Sequence, residues 1–133
     1  MKVSFDFDDC LDNLVVQEYA TELIKRGVDV WICTARTPSL GGVDNIDYGW
    51  NRDVFRMCKD LGIPDDHVIM TDCGLKSFYL NNKDFIWHLD DMMYNITDIR
   101  EESDCWGVLY SPFDMKWKEV CETKLEQWQE EQK

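Results

Sequence analysis

The sequence is poor in basic residues and in histidine. Its 14 lysines and arginines face 27 aspartates and glutamates, and with only two histidines the formal charge is −13 at pH 7. Nucleic-acid backbones and anionic membranes attract clustered lysine and arginine, so this balance disfavours both as general partners. A small anionic substrate stays compatible with the charge, because a metal ion and one lysine can reverse the field inside a cleft.

Long apolar runs and paired cysteines are also missing. No apolar stretch of the sequence is long enough to cross a bilayer, and from the charged opening residues we expect no secretory signal. Six cysteines occur, but none has the Cys-x-x-Cys spacing of a zinc or redox site. We therefore expect free thiols in a reducing cytoplasm rather than a disulfide framework.

Strand and helix patterns alternate along the whole chain, which has the length of one domain, residues 1–133. Apolar runs predict strands at residues 1–7, 28–34, 67–71, 84–89 and 107–110. Amphipathic spacing predicts helices at residues 12–26, 50–61, 75–81, 92–102 and 115–132. This alternation predicts an α/β fold, a Rossmann-like three-layer sandwich around a parallel sheet of about five strands.

The first predicted strand ends in two closely spaced carboxylates, Asp6 and Asp8. Open α/β folds bind ligands at the carboxyl edge of the sheet, where these side chains would lie. Like charges packed so closely are costly unless a cation neutralises them, and magnesium suits carboxylate ligands best. The simpler alternative is a solvated acidic turn.

Three further features follow predicted strands at the same edge. Thr34 and Ala35 end the second strand, and a hydroxyl followed by free backbone N–H groups can bind phosphate oxygens, although Thr34 taken alone is better explained as a residue that simply turns the chain. Lys76 opens a short helix after the third strand and could reach back as a point charge, although a lysine there is also typical of a solvated surface. Asp90 and Asp91 end the fourth strand, where acids also serve as helix caps.

These four segments, taken in order, resemble the four motifs of the haloacid dehalogenase superfamily of phosphohydrolases. The resemblance covers residues 2–95 at least, and a late strand near residues 107–112 is similar to that of nucleotidase-like members. Two departures are Cys10, where the family usually has threonine or valine, and Asp9, where glycine is commoner. Neither lies at a residue that does chemistry in the family.

The resemblance implies a magnesium-dependent phosphatase. Asp6 would be the nucleophile that forms an aspartyl-phosphate, and Asp8 the general acid and then the base. Mg²⁺ would bind Asp6, the backbone carbonyl of Asp8, and Asp90, with Asp91 holding a metal-bound water or serving as the ligand itself.

The same resemblance implies that Thr34, Ala35 and Lys76 hold the phosphoryl oxygens. The spacing between motifs leaves no room for a separate cap domain, so we expect an open site that a second copy of the chain or the loop at residues 37–48 could cover. Tyr48 and Trp50 flank that loop and are candidates for stacking on a base, although an aromatic before a helix is more often core.

We therefore expect a phosphomonoester hydrolase that acts on a small phosphorylated metabolite or nucleotide. A polynucleotide 3′-phosphatase has a similar layout, but the charge disfavours a nucleic-acid end. A phosphotransferase, or a non-catalytic binding protein that retains the fold, would also fit the sequence. His88 lies two residues before Asp90 and could support it from behind, but a satisfied core or edge residue is the interpretation we favour.

Overall fold

The computed structural model describes residues 1–39 and 49–133. Most of the loop expected at residues 37–48, together with Tyr48, lies outside the described residues. The predictions made for that loop as a lid and for Tyr48 as a specificity residue therefore stay predictions.

The described chain alternates strands and helices, which confirms the predicted α/β class. The strands are β1 (Lys2–Phe5), β2 (Asp29–Thr34), β3 (Val68–Met70), β4 (Trp87–Asp90) and β5 (Trp106–Leu109). The α-helices are α1 (Leu14–Lys25), α2 (Arg52–Leu61), α3 (Lys76–Leu80), α4 (Met93–Glu102) and α5 (Lys116–Glu131). A kinked turn, Phe7–Leu11, precedes α1, and a short helical turn, Asp65–His67, precedes β3.

The five strands form one parallel sheet in the order β3-β2-β1-β4-β5. The chain leaves β1 in one direction to build β2 and β3, and then crosses to the other side of β1 to build β4 and β5. The strand order therefore reverses between β1 and β4. Ligands of open α/β sheets bind at such a reversal, beside the carboxyl ends of the strands.

The two faces of the sheet bury different side chains, as a three-layer sandwich requires. On one face, the rings of Phe5, Tyr19, Trp87 and Trp117 pack together beneath α1 and α5, with Phe5 and Trp87 edge to face at 5.3 Å. The opposite face buries a smaller cluster beneath α3 and α4, made of Cys33, Leu80, Phe85, Ile99 and Cys105. Both faces of the sheet are thus covered, and only its edges are left for a site.

All six cysteines are free thiols, five of them buried and Cys73 exposed. Within residues 1–39 and 49–133, no helix has the length and apolar character needed to cross a membrane.

Candidate active site

The turn Phe7–Leu11 separates the two carboxylates that follow β1. Asp6 continues the pairing of β1 with β4, because its N–H donates to the carbonyl of Leu89 at 2.8 Å. The chain then turns through Asp9, whose φ of 58° lies in the left-handed region that aspartate tolerates better than most residues. As a result Asp6 is buried, whereas the side chain of Asp8 is 52% exposed.

Lys76 joins the ends of β1 and β4. Its ammonium donates to Oδ1 of Asp6 at 2.9 Å and to Oδ2 of Asp90 at 2.6 Å, and the residue is only 2% exposed. Asp6, Asp90 and Asp91 each offer a carboxylate oxygen, and these oxygens lie within 4.8 Å of one another. Three carboxylates around one ammonium leave an excess of negative charge that a cation would relieve.

Burial and this shared ammonium set the ionisation of the cluster. Burial raises the pKa of Asp6 to about 8, although the contact with Lys76 opposes the rise. Burial also acts to raise the pKa of Asp90, but hydrogen bonds from His88 and Lys76 outweigh it and hold that pKa below its usual range. Burial raises the pKa of Asp91 as well. Asp90 is therefore the firmly ionised partner of Lys76. Asp6 is the carboxylate whose negative charge the protein does not fully offset.

Asp90 accepts hydrogen bonds from further donors, and these explain why its carboxylate stays ionised. His88 Nε2 lies 2.8 Å from Oδ2 of Asp90, the N–H of Met92 donates to Oδ1 at 3.0 Å, and the amide of Asn95 donates at 3.2 and 3.3 Å. On the other side of the imidazole, Nδ1 lies 2.9 Å from the hydroxyl of Ser4.

The protonation of His88 follows from these partners. Burial lowers the pKa of His88 to about 4, so the ring is neutral near pH 7 and carries one N–H. An ionised carboxylate only accepts hydrogen bonds, so Nε2 carries the hydrogen toward Asp90 and Nδ1 accepts from Ser4. His88 is thus both buried and satisfied, as favoured from the sequence, and a support of Asp90, the alternative that the sequence left open. The sequence indicates this contact through the spacing of His88 and Asp90, because residues two apart on a strand share a face.

Thr34 and Ala35 are held by the segment that follows β3. The backbone N–H groups of Thr71 and Cys73 donate to the carbonyls of Thr34 and Ala35, at 2.9 and 2.8 Å. The Thr34 side chain is buried, and its hydroxyl accepts from the N–H of Arg36 at 3.4 Å. Accepting this bond does not use the hydroxyl hydrogen of Thr34.

The side chain of Asp8 is held away from the carboxylate cluster. Both of its oxygens accept hydrogen bonds from Arg36, which also binds Asp53 at the start of α2. Sequence reasoning gives Arg36 no role, although it directly follows Thr34 and Ala35. Trp50 is 55% exposed beside this group, and its indole N–H donates to the carbonyl of Thr37 at 2.8 Å.

The structure thus brings together four of the expected site residues, Asp6, Lys76, Asp90 and Asp91. Thr34 and Ala35 lie on the adjacent strand end, and Asp8 and Trp50 lie outside the cluster, around Arg36. No protein-family model matches the chain, and no curated protein matches it either. Fold and site geometry are therefore what bears on function.

Proposed function

We propose that this chain is a magnesium-dependent phosphomonoester hydrolase that uses Asp6 as its nucleophile. The observation that carries the proposal is the cluster of Asp6, Lys76, Asp90 and Asp91 at the reversal between β1 and β4. A buried ammonium shared by two carboxylates, beside a third, is costly to assemble and adds little stability by itself. Such a cluster supports catalysis on an anionic substrate better than it supports a purely structural role.

The donor set suits Mg²⁺, which prefers carboxylate oxygens. Asp6 and Asp91 are the better ligands, because the oxygens of Asp90 already accept from Lys76, His88 and two further donors. The backbone carbonyl of Asp8 is the further ligand that the family resemblance implies. The ion, when bound, would neutralise phosphoryl charge and favour the ionised form of Asp6.

The residues of the chain would divide the work of two steps. A carboxylate oxygen of Asp6 attacks phosphorus, forming an aspartyl-phosphate while the bond from phosphorus to the leaving oxygen breaks. Asp8 would first have to release a bond to Arg36 and turn toward the cluster; protonated there, it would give its proton to that leaving oxygen and then take one from the water that hydrolyses the intermediate. Lys76, the hydroxyl of Thr34 and the backbone of Ala35 hold the phosphoryl oxygens, which supplies most of the catalysis in phosphoryl transfer.

A small phosphomonoester such as a nucleotide is the substrate we favour. The charge of −13 works against a long nucleic acid. A phosphotransferase would use the same first step and differ only in the acceptor, which would have to outcompete water.

Hydrolysis of 4-nitrophenyl phosphate, with magnesium and with a chelator, tests the proposal. We expect turnover that needs magnesium and that falls by roughly 10⁴-fold or more in Asp6→Asn, as when other enzymes lose their nucleophile. Asp9→Asn is the matched control, because it removes a carboxylate from the same turn at a position where asparagine also adopts the left-handed region. Metal-independent turnover, or an Asp6→Asn variant as active as the Asp9→Asn control, would refute the assignment.

A further inference from the structure

The helix that carries Lys76 cannot fix its own first turn. α3 has five residues, fewer than an isolated helix needs to be stable in water. Lys76 is its first residue, and Leu75 before it has no side-chain oxygen with which to cap the turn. The place of the Lys76 side chain must therefore be set by contacts between α3 and the rest of the chain.

Asp98 of α4 supplies two such contacts. Its Oδ2 accepts from the backbone N–H of Ser77 at 3.1 Å, and its Oδ1 accepts from the Ser77 hydroxyl at 2.8 Å. Ser77 directly follows Lys76 and is 4% exposed. A carboxylate from another helix thus satisfies a first-turn N–H that has no acceptor within α3. Because two hydrogen bonds converge on one carboxylate, they fix both the distance and the orientation of this turn against α4.

The same face of α4 also holds Asp90. Asn95 lies three residues before Asp98, so the two side chains leave one face of the helix. The Asn95 amide donates to both oxygens of Asp90, at 3.3 and 3.2 Å. One helix face therefore anchors both partners of the 2.6 Å pair between Lys76 and Asp90.

We propose that Asp98 is the positioning residue for Lys76: by holding Ser77 against α4, it keeps the Lys76 ammonium between Asp6 and Asp90, where it can meet a phosphoryl oxygen. Asp98 acts through Ser77 and is not itself a catalytic residue. A misplacement of about 1 Å in an active site can cost about 100-fold in rate, so such support matters for catalysis. The contact with a phosphoryl oxygen rests on the proposed phosphatase function, whereas the placement of the ammonium does not.

The ammonium signals of ¹⁵N-lysine-labelled protein test the placement directly by NMR. Every lysine lies within the described residues, and Lys76 alone is buried, so its ammonium hydrogens exchange slowly with water and give a signal of their own. Asp98→Ala removes both hydrogen bonds to Ser77. We expect this variant to shift or broaden the Lys76 signal, because the ammonium loses its fixed place between the two carboxylates.

Two further variants separate positioning from the loss of a charge on α4. In Asp98→Asn the side-chain carbonyl can accept from the N–H of Ser77 and the amide can donate to its hydroxyl, so the Lys76 signal should stay near its wild-type position. Glu101→Ala removes an exposed carboxylate one turn further along the same helix, and we expect no shift. A Lys76 signal that Asp98→Ala leaves in place would overturn the proposal.

Ser77→Ala keeps the test decisive if Asp98→Ala does not fold. This variant removes the hydroxyl bond to Asp98 and retains the backbone bond, so we expect a smaller shift of the Lys76 signal. In that case an unmoved signal in Ser77→Ala would overturn the proposal.

Inhibition of 4-nitrophenyl phosphate hydrolysis by inorganic phosphate tests the part that rests on the phosphatase function. We expect Asp98→Ala to raise the inhibition constant of phosphate by about tenfold or more, as for the loss of one hydrogen bond to a charged group, and Asp98→Asn to keep it near the wild-type value. A lower kcat with an unchanged inhibition constant would show that Asp98 only supports the fold, and would overturn its role in phosphoryl binding. Absence of hydrolysis by the wild-type protein would instead refute the phosphatase proposal, while the lysine signals still decide whether Asp98 positions Lys76.

Discussion

The guanidinium of Arg36 holds both oxygens of Asp8, with Nε 3.0 Å from Oδ2 and Nη2 2.7 Å from Oδ1. The same guanidinium binds Asp53, through Nη1 at 2.6 Å and Nη2 at 2.9 Å, and it lies over the ring of Phe7. Arg36 therefore ties the turn after β1 to the start of α2. Its planar fork restricts the orientation of Asp8 in a way that a single hydrogen bond could not.

Replacing Arg36 should affect the proton-transfer role proposed for Asp8. Arg36→Lys keeps the charge but loses the fork, so it cannot hold both carboxylates. We expect kcat for phenyl phosphate, whose leaving group needs a proton, to fall by about tenfold or more. We expect a smaller fall for 4-nitrophenyl phosphate, whose leaving group needs none. Steady-state kinetics with both esters measures the difference.

Asp53→Asn is the control for the arginine prediction. It weakens the other anchor of Arg36 and leaves the pair with Asp8 in place, so both esters should keep most of their rate. Equal losses for the two esters in Arg36→Lys would show that Arg36 acts on the phosphoryl group or on the fold, and not through Asp8.

The support that His88 gives to Asp90 should be visible in stability. His88→Leu leaves an ionised, buried Asp90 without one of its donors, and losing a hydrogen bond to a buried charged group costs about 1.5–3 kcal/mol. His88→Gln retains a side-chain N–H and should cost less. Ser4→Ala removes only a neutral hydrogen bond and should cost about 1 kcal/mol. Urea unfolding measures the loss of unfolding free energy in each variant. We expect the largest loss in His88→Leu, a smaller one in His88→Gln and the smallest in Ser4→Ala, and any other order would contradict this hydrogen-bond arrangement.

The fold was predictable because its signals are local. Apolar runs such as residues 28–34 are too short for a helix and favour buried strands, and alternation with helices leaves few topologies besides a parallel sheet. The cluster was predictable for the same reason, since Asp6 directly follows β1, Asp90 ends β4 and Lys76 opens the helix after β3, so all three meet at one edge.

Side-chain pairing beyond that edge was not predictable. Nothing in the spacing of Asp8, Arg36 and Asp53 indicates that one arginine binds both carboxylates, because this depends on how α2 docks against the turn after β1. The contact between Asp98 and Ser77 is equally hidden, since the spacing of the two residues does not show how α4 packs against α3.

Gly107 lets α4 lie close to the sheet. A Cβ built there would meet the carbonyl oxygen and Cα of Ile96 at 3.0 and 3.1 Å, and both are backbone atoms that cannot move alone. Gly107→Ala should therefore destabilise the protein by about 1–3 kcal/mol through overpacking. Thr97→Ala, on an exposed position of the same helix, is the control. The urea concentrations at which the two variants unfold halfway measure the difference. An unchanged midpoint for Gly107→Ala would contradict this close packing.

Magnesium should stabilise the protein, and the two adjacent aspartates should respond differently to substitution. A ligand that binds only the folded state raises its stability by mass action. Asp91→Asn removes a proposed ligand with few internal contacts, so it should abolish the magnesium-dependent rise in melting temperature and change the metal-free value little. Asp90→Asn disturbs Lys76 and His88, so it should lower the metal-free melting temperature markedly. Thermal unfolding of each variant, with chelator and with millimolar magnesium, separates the two effects. The division of roles between Asp90 and Asp91 would be wrong if Asp91→Asn kept the full rise.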